Sequence, residues 1–166
     1  MNKLWLQKTR SPSDLERVPY LDPDVGHSAV AVSCPADATE DTLATITLPA
    51  NTLGPNGYLE IVTLWTHTTS ANNKTLRVRF GGTVFTVVVV TTSVTTNTPT
   101  IIRNRGATNS QVGFVSGSNS GFGTSGAAVI TAAVDTTADV TILITGQKAS
   151  AGEVLTLEGY SIKAYQ

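Results

Sequence analysis

The sequence is poor in cysteine, in charged side chains and in long apolar segments. It contains a single cysteine among 166 residues, so no disulfide can form within the chain. We interpret Cys34 as a small buried hydrophobic residue. No apolar run reaches the ~18 residues that predict a membrane span, and the first ten residues lack the apolar stretch of a secretory signal. We therefore expect a chain that is made and folded in a cytoplasm.

Charge is scarce and unevenly spread. Charged residues make up 14% of the chain, against about 25% in an average protein, and the net charge is -1. This balance predicts neither nucleic acid nor an anionic membrane as a partner, because both attract strongly basic surfaces. No acidic residue lies between Ile61 and Val134, whereas five basic residues do. They predict either a solvated sheet face or a patch that meets an acidic partner: Lys74, Arg77, Arg79, Arg103 and Arg105.

The groups that catalysis and metal binding require are also few. There are two histidines, His27 and His67, and no G-x-S-x-G motif, so we predict no hydrolase triad. His67 is expected at the rim of a strand. Zinc would need several Cys or His at close spacing, the acidic pairs lack the spacing of a calcium loop, and no glycine-rich phosphate motif is present. We predict no catalytic residue, no metal site and no cofactor.

The residues that are abundant favour strands. Threonine and valine are β-branched and suit a pleated surface, and they occur in about nine short segments separated by turn residues. Segment 58–66 is apolar on both parities, which predicts a central strand covered on both faces. Segment 75–80 alternates apolar and polar residues. The uncharged run 84–90 would aggregate at an open edge, so it is expected to be internal or covered by another subunit.

These segments predict an all-β fold of two packed antiparallel sheets. The connections are too short for crossover helices. A jelly-roll-like sandwich is the first choice, and an immunoglobulin-like sandwich, which is usually nearer ~100 residues long, is the second. The last segment changes phase between Leu157 and Tyr160, which predicts a bulge near Gly159.

Residues 1–27 differ from the rest of the chain. They carry Pro12, Pro19 and Pro23, have mixed charge and show no regular period. We predict an extended N-terminal arm over 1–27, followed by a sandwich domain over 28–166. The arm cannot bury its own apolar side chains, which need a surface on the same domain or on a neighbour: Leu4, Trp5, Leu6, Leu15, Val18 and Tyr20.

One stretch of sequence resembles known proteins. The segments LPANTLGPNGYL (48–59), LWT (64–66) and SANNKTLRVRFGGT (70–83), about a fifth of the chain, look like a segment of small structural proteins of tailed bacteriophages. Such proteins are decoration, head-fibre or tail-associated proteins. The resemblance implies a virion subunit made in the host cytoplasm, commonly a homotrimer of jelly-roll-like domains, with no cofactor and no catalytic residue.

Together these features predict a non-enzymatic capsid decoration or cement subunit. It would associate with itself and dock on phage capsid or tail proteins through the arm, with Leu4, Trp5 and Leu6 as anchors. One alternative is a tail-fibre or head-fibre module that binds a host receptor or glycan, which predicts exposed aromatic residues such as Trp65 or Tyr58 around a groove. Another is an enzyme accessory or hydrolase, which predicts a pocket that joins His67 to an acid.

Overall fold

The computed structural model describes residues 24–114, 116–117 and 128–166, so the predicted arm anchors lie outside the described residues. Twelve strands lie in the described parts: β1 (Asp24–Ser28), β2 (Val32–Ser33), β3 (Glu40–Leu48), β4 (Tyr58–His67), β5 (Lys74–Phe80), β6 (Thr83–Val90), β7 (Thr95–Asn104), β8 (Gln111–Gly113), β9 (Ser116–Gly117), β10 (Ile130–Ala132), β11 (Val140–Lys148) and β12 (Leu155–Tyr165). Over the same ranges there is no helix long and apolar enough to cross a membrane.

The strands form two sheets. Sheet A has the order β1-β12-β4-β7-β8-β10, with β2 also paired to β12, and sheet B has the order β3-β11-β5-β6-β9. Every pairing is antiparallel except the short contact between β6 and β9. The two sheets pack face to face and enclose one hydrophobic core. The predicted all-β sandwich is confirmed.

The pairing of the long strands is nested, which identifies the topology. Strand β1 pairs with β12, β3 with β11, β4 with β7, and β5 with β6. The outermost strands of the sequence thus pair with each other, and so do the next ones inward. Contacts of β12 with β4 and of β11 with β5 join these hairpins into the two sheets. A long hairpin rolled up in this way is a jelly roll.

Alternation places the core between the sheets. In β5, Leu76, Val78 and Phe80 are buried, whereas Arg77 and Arg79 face outward, as predicted. Sheet A contributes a fully buried Trp65, which lies on the inward parity of β4. The predicted bulge in β12 is confirmed, because the register with β4 shifts between Leu157 and Gly159.

Two expectations about strand environment need correction. The outward-facing side chains of β4 are not all covered, because Leu64 is 47% exposed on the outer face of sheet A. Among the described residues, strand β6 has a neighbour on its outer side only at Thr86 and Val87, where it meets β9, and Val89 is 47% exposed. The strand is therefore not internal over its whole length, and its coverage by another subunit stays a prediction. In addition, residues 24–27 pair with β12 in β1, although the sequence assigned them to the arm.

Candidate functional site

The five basic residues of the predicted patch do not share one surface. Arg77 and Arg79 face outward from sheet B, whereas Arg103 lies on the outer face of sheet A and Arg105 follows the end of β7. Lys74 is fully buried at the start of β5, with 0% of its surface exposed. The predicted patch is therefore split between two sheets, and Lys74 cannot face a partner.

The two arginines of sheet B are paired within the chain. Arg79 Nη2 donates to Glu40 Oε1 at 2.8 Å, and Arg77 Nη1 lies 3.4 Å from Glu40 Oε2. Burial raises the pKa of Glu40, but the hydrogen bonds from Thr145 and Arg79 and the charges of both arginines outweigh it and hold that pKa below its usual value. Glu40 thus neutralises part of the charge that the arginines would present to a partner.

Lys74 is the centre of a buried polar cluster at one end of the sandwich. Its Nζ donates to Ser70 Oγ at 2.7 Å and to the carbonyl oxygens of Asn72 and Thr91 at 2.9 and 3.2 Å. The same ammonium lies 3.4 Å from Glu153 Oε1. Because these residues come from the β4–β5, β6–β7 and β11–β12 connections, one lysine side chain fastens three connections together.

Glu153 completes this cluster from the β11–β12 connection. It accepts hydrogen bonds from Ser70 Oγ and from Asn72 Nδ2, and the hydrogen bond from Ser70 is the main reason that its pKa is lowered. A second buried lysine, Lys148, donates to the carbonyl oxygens of Pro35 and Glu153 at 2.5 and 3.1 Å. Lys74 therefore holds the carbonyl groups of Asn72 and Thr91, and Lys148 holds those of Pro35 and Glu153, at the same end of the sandwich.

The cluster has a structural role rather than a catalytic one. A serine next to a lysine can act as a nucleophile only when the lysine is neutral and can accept the serine proton. Here Lys74 Nζ donates to Ser70 Oγ and to two carbonyl oxygens and lies next to the Glu153 carboxylate, so the lysine acts only as a hydrogen-bond donor towards the serine. Ser70 also donates its proton to Glu153 rather than to the lysine. This geometry orders the loops and leaves Ser70 unactivated.

His67 lies next to this end and is buried, not at the rim as predicted. It is 5% exposed, and its Nε2 lies 3.0 Å from Thr96 Oγ1. Burial and, to a smaller extent, the charge of Lys74 lower its pKa, although the backbone of Ser93 acts in the other direction. His67 is therefore neutral near pH 7 and hydrogen-bonds a hydroxyl group rather than an acid.

The opposite end of the sandwich has a buried network that the sequence did not reveal. Asn104 Nδ2 donates to the carbonyl oxygen of Gly54 at 2.8 Å, and Gln111 Nε2 donates to Asn104 Oδ1 at 2.8 Å. Gln111 also bonds both backbone groups of Val134, and Thr136 Oγ1 donates to the carbonyl oxygen of Thr108. Each end of the sandwich is thus closed by polar side chains that hold loops in place.

An aromatic stack lies on the outer face of sheet A at this second end. The rings of Tyr58 and Tyr165 are 4.5 Å apart and nearly parallel, and the Arg103 guanidinium lies 6.0 Å from the centre of the Tyr58 ring. Trp65, the other aromatic named in the glycan alternative, cannot contact a sugar because it is buried in the core, where its Nε1 donates to Thr63 Oγ1.

One open depression of about 290 Å³ borders the Lys148 end of sheet B. Ala38, Asn73, Thr75, Gln147, Lys148 and Ala149 line it. It contains no aromatic side chain and no acid, and the ammonium of Lys148 is engaged by backbone carbonyls. Among residues 24–114, 116–117 and 128–166, no group of three or more His, Cys, Asp or Glu side chains is placed to hold a metal ion.

Comparison with known proteins gives only distant similarity. No family model matches the chain, and no curated protein matches it by sequence. The CBM2 module of Lactobacillus casei BL23 phage J-1 evolved Dit is 11% identical, with a TM-score of 0.33 over 73% of this chain and 67% of that chain. The structure of infectious bursal disease virus Gx strain is 12% identical, with a TM-score of 0.28 over 87% of this chain and 39% of that chain. Both structures come from viruses, but similarity at this level carries no functional argument.

Proposed function

We propose that this protein is a non-enzymatic structural subunit of a tailed-bacteriophage virion. It associates with copies of itself and docks on capsid or tail proteins through its N-terminal arm, as a decoration or cement protein does. The observation that carries the proposal is that the buried polar side chains hydrogen-bond loops together at the ends of the sandwich. The buried polar cluster around Lys74 and Glu153 ties connections together, and its one serine, Ser70, is not activated as a nucleophile.

The segment that resembles phage structural proteins supports the same function. Residues 48–59 lead from the end of β3 to the start of β4, through a turn in which Leu53 is buried. Residues 70–83 contain Ser70, Asn72 and Lys74, which fasten the connections, and the whole of β5. The resemblance therefore lies on residues that build the sandwich, which suits a shared structural role.

The place where the described chain begins is compatible with docking through the residues that precede it. The described chain begins with β1 at the edge of sheet A, where Asp24 lies opposite Lys163. The preceding 23 residues could span ~75 Å if extended, at about 3.3 Å per residue. Sheet A is only about 25 Å wide, since strands lie ~4.8 Å apart. The arm is thus long enough to reach a neighbouring subunit and bury Leu4, Trp5 and Leu6 there.

Particles of the phage that carries the gene provide the test. Quantitative mass spectrometry of purified particles should find this chain at many copies per particle. Full-length chain in which Leu4, Trp5 and Leu6 are all changed to Asp should lose most of its binding to particles that lack the protein, because charged side chains cannot replace the buried apolar ones. The matched control changes the neighbouring polar residues Lys3, Gln7 and Thr9 to Ser and should bind normally. Absence of the chain from particles would overturn the proposal.

A glycan-binding fibre module is the second candidate function. The stack of Tyr58 and Tyr165 is half-buried on an outer face and has Arg103 beside it, which is the kind of surface that a sugar ring packs against. This candidate predicts measurable binding on a glycan array that is lost in Tyr58→Ala, whereas Phe114→Ala, at a 41% exposed aromatic that is not part of the stack, keeps it. An array without any signal above background would eliminate it.

A further inference from the structure

We propose that one end of the sandwich is sensitive to acid, because protonation of His67 releases the connection between β6 and β7, residues 91–94. The opposite end, which Asn104 and Gln111 close, stays in place at the same pH. The inference is independent of the proposed function, since it concerns how the domain itself is held together. It is carried by the positions of His67 and Lys74, by the contacts of the connection and by the charges around the imidazole ring.

His67 and Lys74 approach each other from opposite sheets. His67 is the last residue of β4 in sheet A, and Lys74 is the first residue of β5 in sheet B. Both lie on the inward side of their strands and are buried, with 5% and 0% of their surface exposed. The ammonium of Lys74 is close enough for its charge to lower the pKa of the His67 ring. The two side chains therefore share one end of the space between the sheets.

Both residues also hold the connection between β6 and β7. Lys74 Nζ donates to the carbonyl oxygen of Thr91 at 3.2 Å. At the other end of the connection, the backbone N–H of His67 donates to the carbonyl oxygen of Val94 at 2.9 Å, and its ring Nε2 lies 3.0 Å from Thr96 Oγ1. Repulsion between a charged imidazole and the ammonium therefore acts on the two residues that fasten this connection.

The acids near this end are engaged by groups other than the His67 ring. Glu153 Oε1 accepts the hydrogen bond from Ser70 and lies 3.4 Å from Lys74 Nζ. Glu158 on β12 accepts a hydrogen bond from Thr66, which points to the opposite face of β4 from His67. A protonated His67 therefore has no acid of the described residues as its own counter-ion.

The other elements packed against the ring add no acid. Leu155 lies opposite His67 on β12, and residues 91–94 contain no titratable side chain. Lys148 on β11 is a further cation at this end, bonded to the carbonyl oxygens of Pro35 and Glu153. Protonation of His67 would add a positive charge beside buried lysines, and a buried cation without a counter-ion is costly.

The pH dependence follows from which form binds the proton. In the closed end His67 is neutral near pH 7, because burial and the charge of Lys74 lower its pKa from the ordinary 6.5. When the connection moves away, water reaches the ring and its pKa returns towards the ordinary value. Below pH 6.5 the open form therefore binds a proton that the closed form does not. Opening is then favoured by up to about tenfold for each pH unit, until the pH reaches the lowered pKa of the closed form.

The network at the opposite end is built from groups that do not titrate. Asn104, Gln111 and Thr136 are joined there by amide and hydroxyl groups. Glu153 does not produce the same effect, because its pKa is lowered from 4.5, mainly by the hydrogen bond from Ser70, and it stays charged above pH 5. Acidification from pH 7.5 to pH 5.5 therefore acts on the end that contains His67.

Hydrogen exchange of the full chain, followed by NMR, measures the opening. The reporters are the backbone N–H groups of His67 and Ser70, which donate to the carbonyl oxygens of Val94 and Thr91. After correction for the intrinsic pH dependence of exchange, these groups should open at least ~5-fold more often at pH 5.5 than at pH 7.5. Their exchange should not respond to low urea, because a local opening exposes little surface. The absence of any rise would overturn the proposal.

The two histidines of the chain supply matched variants. His67→Gln keeps a neutral side chain that can hydrogen-bond Thr96 but cannot bind the proton, so the rise in opening should disappear. His27→Gln removes a histidine whose side chain is 72% exposed on β1, and the rise should remain. A rise that survives His67→Gln would overturn the assignment to His67.

Two measurements on the wild-type protein need no substitution. An NMR titration of the His67 ring in the folded protein should have its midpoint below pH 6.5, and a midpoint at or above 6.5 would overturn the proposal, because the closed end would then accept the charge. The backbone N–H groups of Asn104 and Thr136 report on the opposite end. If low urea accelerates the exchange of the reporters as much as that of these two groups, acid acts on global unfolding, and the release of one end is wrong.

Discussion

Lys74 and Glu153 form an ion pair inside one end of the sandwich, with Nζ and Oε1 3.4 Å apart and side chains that are 0% and 8% exposed. A fully buried lysine is costly unless its hydrogens all find acceptors. Here the chain supplies them from Ser70, Asn72 and Thr91 as well as from the carboxylate. The pair therefore links the ends of strands that belong to different hairpins.

We predict that Lys74→Met destabilises the protein by about 3 kcal/mol. Methionine fills a similar volume but leaves the Glu153 carboxylate and two carbonyl oxygens without their donor, and removing one partner of a buried pair costs roughly this much. Urea unfolding followed by circular dichroism measures the difference. Arg105→Met, at an exposed cation, should change the free energy of unfolding by less than ~0.5 kcal/mol. Equal effects of the two substitutions would contradict the role given to Lys74.

We also predict that Glu153 makes stability depend on pH at the acid end. Its pKa in the folded chain is lowered, mainly by the hydrogen bond from Ser70, from an ordinary value of 4.5. The unfolded chain therefore binds a proton first as the pH falls. The contribution is fully present above pH 4.5 and is lost as the pH falls through the lower folded pKa. Comparing wild type with Glu153→Gln in urea at pH 7 and at pH 3 should show a difference that shrinks on acidification. A difference that stays constant would show that Glu153 does not titrate with unfolding.

The position of Lys74 illustrates what the sequence could and could not predict. Lys74 has the same parity as Leu76, Val78 and Phe80, so strict alternation in β5 would have placed it inward. Its charge favoured an outward position instead, because an isolated buried charge is costly. The acceptors that make burial possible come from connections far along the chain, such as the one that contains Glu153, and no local pattern reveals them.

The same limit applies to the rest of the site. The alternation of apolar and polar residues predicted most of the long strands. The change in that alternation between Leu157 and Tyr160 predicted the bulge at Gly159. Both are local properties of the sequence. The burial of His67 and the network around Asn104 and Gln111 depend on which strands pair. The partner of Glu40 on β11 is Gln147, more than one hundred positions away. Such pairings follow from the nested topology and not from any short segment.

A third prediction concerns the thiol of Cys34. Burial, helped by the nearby Asp41, raises its pKa to about 11. Only about one thiol in a thousand is then ionised at pH 8, and the thiolate is the reactive form. Labelling with a disulfide reagent should be at least ~100-fold slower in the native protein than in 8 M urea. Thr45→Cys, on the exposed face of β3, supplies the fast-reacting control. Equal native rates for the two thiols would mean that Cys34 is accessible.

The last prediction tests how closely the two sheets approach near Cys34. A Cβ at Gly146 of β11 would lie 2.8 Å from Cys34 Sγ and 2.9 Å from Leu155 Cδ2. Gly146→Ala should therefore overpack the core and destabilise the protein by about 1–3 kcal/mol. Gly152→Ala, where a Cβ would meet nothing within 4 Å, is the matched control and should be nearly neutral.

The substitution Cys34→Ala removes the sulfur and so tests whether Gly146→Ala is destabilising because its Cβ meets Cys34 Sγ. In a Cys34→Ala background, Gly146→Ala should cost less, because one of the two crowding atoms is gone. A double-mutant cycle from urea unfolding measures this coupling, which should be about 1 kcal/mol in favour of the double variant. Strict additivity of the two substitutions would mean that the cost of Gly146→Ala arises from Leu155 or from the backbone, and that the sulfur does not limit how closely the sheets pack.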